Sequence, residues 1–162
     1  MIAEKNDTIV KQEKQIKTMQ DNESARIIST VKKLTGGIID KYTAVVYLEA
    51  TNQGKTGMQL VADTIYNRTN EPKFKETTIS GVLKYPMQFN ALTKLSTITD
   101  QTKQSQQYKQ AYDIVISKLL YGTAISNDTL YFMNPSISNR GAANWMFRKQ
   151  IVITYKDHVF FK

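Results

Sequence analysis

The chain has 162 residues, 41% apolar and 22% charged, with no cysteine, one histidine and a net charge of +8. That length allows one domain with a real core and a modest extension. The lack of cysteine excludes disulfides, thiolate nucleophiles and Cys-ligated zinc, and His158 alone cannot supply the roughly two or three imidazoles that zinc hydrolases take. No G-x-S-x-G elbow is present to make His158 part of a serine triad. No cofactor or metal is expected. No run reaches the roughly eighteen apolar residues that span a bilayer, so no membrane insertion is expected. The start, "MIAEKNDTIVKQEKQIK", is too polar for a signal peptide.

Residues 1–35 hold seven Lys/Arg against five Asp/Glu, and the remainder fifteen against nine. The basic charge therefore belongs to the later part. Such a field favours a polyanionic partner: nucleic acid, anionic lipid or an acidic wall polymer. A nucleic-acid partner is not expected, because no Lys/Arg-rich aromatic patch or binding motif accompanies the charge. In 1–35, Ile2, Ile9 and Ile16 repeat every seven residues with Met19 at a matching d position, but Lys5 and Gln12 interrupt the seam. The segment reads as a helix, either a solvated tail or a stalk that docks or self-associates. "LTGG" at 34–37 breaks the pattern. It divides the chain into a helical tail, 1–35, and a domain, 36–162.

From Ile38 to about Ala50 the pattern is helical, with Ile38, Tyr42, Val45 and Glu49 on one stripe. After "NQGKTG", Thr56 is the expected N-cap of a helix over about 57–68 that buries Met58, Val61 and Ile65. "NEPKFKE" reads as a loop, and "TTISGVLKYP" as a short helix capped near Thr78 and stopped by Pro86. Residues 90–104 read as an exposed polar loop. Tyr108, Ala111, Tyr112, Val115 and Leu119 share one face of a helix over 105–121, ended by Gly122. "TLYFMN" at 129–134 is strand-like, and 150–162 alternates about a turn near Lys156-Asp157 as a hairpin. The fold class is α+β, mainly helical, with a small C-terminal β-hairpin.

Glu49 lies on the apolar stripe of its helix, at the C-terminal end. Burial penalises a charged carboxylate and raises its pKa, and the negative end of the helix dipole pushes the same way. A carboxyl kept protonated near neutral pH is what a general acid for glycosidic cleavage needs. The spacing alone fits better a rim glutamate whose stem packs while its head reaches water.

The order of motifs after Glu49 carries more. Glu49-Ala50, Gly57, Val61-Ala62, Asn67-Arg68, Phe74, Thr77 or Thr78, Val82, Gln88-Phe89, Phe132 and His158-Phe160 follow one another in sequence. This series resembles the SleB-type cell-wall hydrolase family of spore-cortex and phage lytic enzymes, over about residues 38–162. The family pattern runs roughly E-A-x-x-E-x-x-x-G-x-x-x-V-A-x-V-x-x-N-R, then F-P-x-T-x-x-x-V, Q-F, a-x-F and H-x-F. The resemblance implies a lysozyme-like lytic transglycosylase that cuts peptidoglycan between N-acetylmuramic acid and N-acetylglucosamine and leaves a 1,6-anhydromuramic end. Glu49 stands at the catalytic position, acting as acid and then base, with no second carboxylate or metal. "GMQL" at 57–60 also looks, more loosely, like the stretch after the catalytic glutamate of other lysozyme-like transglycosylases. The chain departs from the pattern at Gln53, where the family has a second acid, and at Lys75, where it has proline. The resemblance, with the polar N-terminus, implies a phage product: tail-associated in the virion, or held in the host cytoplasm before release to the wall. The helical tail would then serve self-association or docking to other virion proteins.

Gln88 and Phe89 are candidates to bond an N-acetyl group and to stack on a sugar face. Tyr131, Asn134 and Trp145 are further cleft candidates, and His158 could orient substrate or tune Glu49. Each has a structural alternative in the core, a cap or a hinge. A two-carboxylate muramidase would need a second acid about 5–9.5 Å from Glu49. No acid is tied to Glu49 by local spacing, and Asp63 reads as a surface residue of its helix. A non-catalytic virion or wall-binding module is the other alternative, kept open by Gln53.

Overall fold

The computed structural model describes residues 2–34, 37–84 and 89–162. The chain divides into two compact units, Met1–Gly37 and Ile38–Lys162. The first is helix α1, Ile2–Leu34. Ile9, Val10, Ile16 and Met19 are exposed on it.

The second unit is built on three helices. α2, Ile38–Ala50, packs on α3, Gly54–Asn70. Its Tyr42, Val45 and Val46 are fully buried with Met58, Val61 and Ile65 of α3, so the stripes read from the sequence do form the core. The Tyr42 hydroxyl donates to the Ala62 carbonyl at 2.6 Å, which fixes the two helices against each other and satisfies a buried polar group. Between α2 and α3 lies a 3-10 turn, Thr51–Gln53. It feeds α3 directly, so that helix starts at Gly54 and Thr56 does not cap it.

Thr78 Oγ1 accepts from Gly81 N–H and caps α4, Ile79–Lys84; the expected stop at Pro86 lies outside the described residues. Residues 90–104 are not the irregular loop expected. They form a 3-10 helix, Asn90–Thr97, and α5, Asp100–Gln104, started by reciprocal bonds between Thr99 and Thr102. α6, Gln106–Tyr121, is capped by Ser105 and ended by Gly122 at φ +66°. It packs against both α2 and α3.

β1 is Tyr131–Met133, and α7, Arg140–Met146, follows it. The sequence reading missed α7; its one local signal is Asn139, whose side chain accepts from Ala142 N–H. β2, Ile151–Tyr155, and β3, His158–Phe161, form the expected hairpin, turned at Lys156 with φ +49°. The hairpin is part of a three-stranded antiparallel sheet in the order β1-β3-β2, with Phe132 opposite Phe160. β3 is central, and all four of its residues are buried.

Candidate functional site

Glu49 occupies the penultimate position of α2 and is half-buried. Its Oε1 accepts from Ala91 N–H at 3.1 Å, at the start of the 3-10 helix. Burial raises its pKa above 4.5, and the Ala91 hydrogen bond and the charge of Lys94 offset part of that rise. The carboxyl faces a cavity of about 470 Å3, also lined by Arg68, Phe132, Asn134, Ser138 and His158. Glu49 is the one acidic side chain among the described residues lining it.

β1 and β3 supply the opposite wall. The pleat sends Phe132 to this side and Tyr131 to the other. His158, 7% exposed, packs edge-on to the Phe132 ring with centroids 5.6 Å apart. Burial lowers its pKa below 6.5 against the pull of Asp157, so it is a neutral imidazole at pH 7. Its Nδ1 is buried without a hydrogen-bond partner. Asn134 shapes the rim: its Oδ1 accepts from Ser136 N–H, and its carbonyl accepts from Ser138.

Arg68 of α3 joins the parts. Its Nε donates to the Leu130 carbonyl at 2.6 Å, just before β1. Its guanidinium lies 5.3 Å from the Phe74 and Phe89 ring centres and 5.4 Å from that of Tyr131. Burial brings its pKa down to about 10, which leaves it charged at neutral pH. Asn67 donates to the Ser126 and Thr129 carbonyls, so the Asn67-Arg68 pair clamps the approach to β1.

The structure thus brings Glu49, Asn134 and His158 together. Tyr131 and Trp145 are not with them: they meet edge-on at 5.6 Å in a second cavity of about 260 Å3, which shares Arg68 with the first. Phe89 offers no face to a sugar. It is 4% exposed, held between Phe132 and Arg68. Gln88 lies outside the described residues. Phe132 was missed as a cavity residue because the pleat alone could not say which face of β1 met the core. Asp63 is not on the surface. It is wholly buried, paired with Lys118 at 3.0 Å, and accepts from the Ile125 and Ser126 N–H groups. It does not line the Glu49 cavity.

Gln53, where the family pattern has an acid, is fully buried. Its Nε2 donates to Asp157 Oδ2 at 3.0 Å, and its Oε1 accepts from Asp157 N–H at 3.3 Å. It ties the turn after α2 to the β2–β3 turn and lines neither cavity. Among the described residues no cluster of acids and imidazoles could hold a metal ion.

Comparison with known proteins follows the same outline. The fold is similar to the catalytic domain of the germination-specific lytic transglycosylase SleB from Bacillus anthracis, with a TM-score of 0.62 at 24% identity, covering 77% of this chain and 93% of that one. It is similar also to the catalytic domain of the Bacillus cereus SleB protein, with a TM-score of 0.58 at 23% identity, over 77% and 89% of the two chains. No curated protein matches the sequence. The Cell Wall Hydrolase family matches residues 52–161, starting just beyond Glu49. With about two thirds of its length matched in this way, the chain belongs to the Cell Wall Hydrolase family and is an enzyme of cell-wall degradation.

Proposed function

We propose that this enzyme cuts peptidoglycan glycan strands by a single-acid lytic transglycosylation centred on Glu49. The observation that carries this reading is the setting of Glu49: a half-buried carboxyl with a raised pKa, and the one acid among the described residues lining its cavity. Protonated Glu49 donates to the glycosidic oxygen as the bond from muramic C1 breaks. The carboxylate left behind takes the proton of the muramic C6 hydroxyl, whose oxygen bonds to C1. The proton count closes on Glu49, no water is consumed, and the product is a 1,6-anhydro end. Arg68 and neutral His158 line the same cavity and add no second carboxylate to position water.

The test is a digest of purified peptidoglycan by the wild type and Glu49→Gln, with products read by mass spectrometry. Anhydromuramic ends, one water lighter than reducing ends, are expected from the wild type. The variant should lose at least about a hundredfold in rate, the scale of general acid–base catalysis. Reducing muramic ends would replace this mechanism with water attack assisted by a second acid. A folded wild type that releases nothing from several wall types would leave a non-catalytic wall-binding module.

A further inference from the structure

The second cavity has a different chemistry from the Glu49 cavity. Three cations surround the Tyr131 ring: Lys149 at 4.2 Å from its centroid, Arg68 at 5.4 Å and Lys73 at 5.7 Å. Lys149 also lies 4.1 Å from the centre of the Trp145 ring. Lys75 lines the cleft as well. The acids facing this cluster are Glu76, in the lining, and Glu71, whose charge reaches Tyr131. Cations outnumber acids four to two. One sugar ring cannot lie flat on both Tyr131 and Trp145, because the rings meet at 90°, and Lys149 sits close to both. What the cleft presents is cationic N–H held beside aromatic faces, able to donate charge-assisted hydrogen bonds to an anion.

We infer that this cleft takes the free carboxylates of the peptide stem that peptidoglycan carries on its muramic acid, an inference that rests on the reading of Glu49 above. Arg68 lines both cavities, so the two are neighbours. β1 is an edge strand that stands between them, with Phe132 lining the Glu49 cavity and Tyr131 lining the cleft. A stem leaving the muramic acid spans about 10 Å with three residues. The cleft thus acts on substrate choice: strands with acidic stems are held in register, and strands without them lose that contact.

The test compares glycan strands bearing their stems with the same strands stripped by an amidase. Wild type is expected to cut the bearing strands about tenfold faster in kcat/KM, the scale of one charge-assisted contact. Lys73→Gln with Lys149→Gln should bring the ratio of the two rates close to one. Lys55→Gln with Lys109→Gln removes the same charge from a separate cavity beside α3 and α6 and should leave the ratio unchanged. A binding readout stands apart from catalysis. Trp145 is the only tryptophan and is 53% exposed, so its fluorescence reports on the cleft. Titrating Glu49→Gln with free stem tripeptide should give a saturable, salt-sensitive change that the Lys73/Lys149 double substitution weakens about tenfold. Peptide binding without strand cleavage would sink the Glu49 mechanism and keep this site. Cleavage with equal rates on both substrates and no peptide response would sink this site alone. A response to polyglycerol phosphate and none to the peptide would also overturn it.

Discussion

Burial sets opposite demands on Glu49 and His158, and both can be read against pH. The folded Glu49 pKa is raised above 4.5, so between that value and the folded pKa the native state binds more protons than the unfolded chain. Its contribution to stability is full below 4.5 and is lost as pH rises through the folded pKa. Glu49→Gln retains an acceptor for Ala91 N–H and removes the charge. It should therefore be more stable than wild type at pH 7, by about 1 kcal/mol, with no gain at pH 4. Thermal melts at the two pH values decide this, and an equal gain at both would show that the charge is not the cause. The same rise places the alkaline limb of kcat/KM above the ordinary carboxyl range. His158 works the other way: its folded pKa is lowered, so stability falls as pH drops from 6.5 towards that value. Glu49 was legible in the sequence because an acid on an apolar stripe is a local anomaly. The meeting of Arg68, Phe74, Phe89 and Tyr131 was not, since it depends on contacts between segments far apart in the chain.

At the scale of elements, the junction after α2 sets the angle at which Glu49 meets the sheet. Gly57 lets the first turn of α3 lie against Gln53; a Cβ there would collide with the Gln53 Cβ. Gln53 then reaches the β2–β3 turn through Asp157. Gln53→Glu would restore the acid of the family pattern, yet it would set a second carboxylate against Asp157 and remove a donor. The expected result is a loss of about 1–3 kcal/mol at neutral pH, relieved as the medium is made acidic enough to protonate one of the pair, and no gain in wall cleavage. Urea melts at pH 7 and pH 4, with an activity assay beside them, check both halves. A gain in activity would make position 53 part of the reaction. Helices with strong periodicity, such as α2, α3 and α6, were legible to within a few residues. α7 and the 3-10 helix at Asn90–Thr97 were not, because both are short and lack a repeating apolar face; α7 has a single side-chain cap and the 3-10 helix has none. β1 was visible as a strand, but its pairing with β3 joins residues some thirty positions apart.

For the whole molecule, every residue assigned to the two cavities lies within Ile38–Lys162, the larger compact unit. α1 is different in kind. Ile9 is 50% exposed, Ile16 54% and Met19 71%, and among its described side chains none is buried. A helix without packing in its own unit is marginal in water, and the interruptions at Lys5 and Gln12 leave only a partial seam for a second copy. Two consequences follow. A chain reduced to residues 38–162 should cut short, soluble glycan fragments within about twofold of the full chain's rate, because the acid step needs nothing from α1. Sedimentation of the full chain at micromolar concentration should show a monomer, since a seam broken at two d positions is too short to hold a dimer there. A mass that rises with concentration for the full chain, but not for residues 38–162, would instead assign α1 to assembly and turn its exposed isoleucines into an interface. Cleavage that falls more than tenfold on truncation would place α1 in substrate engagement.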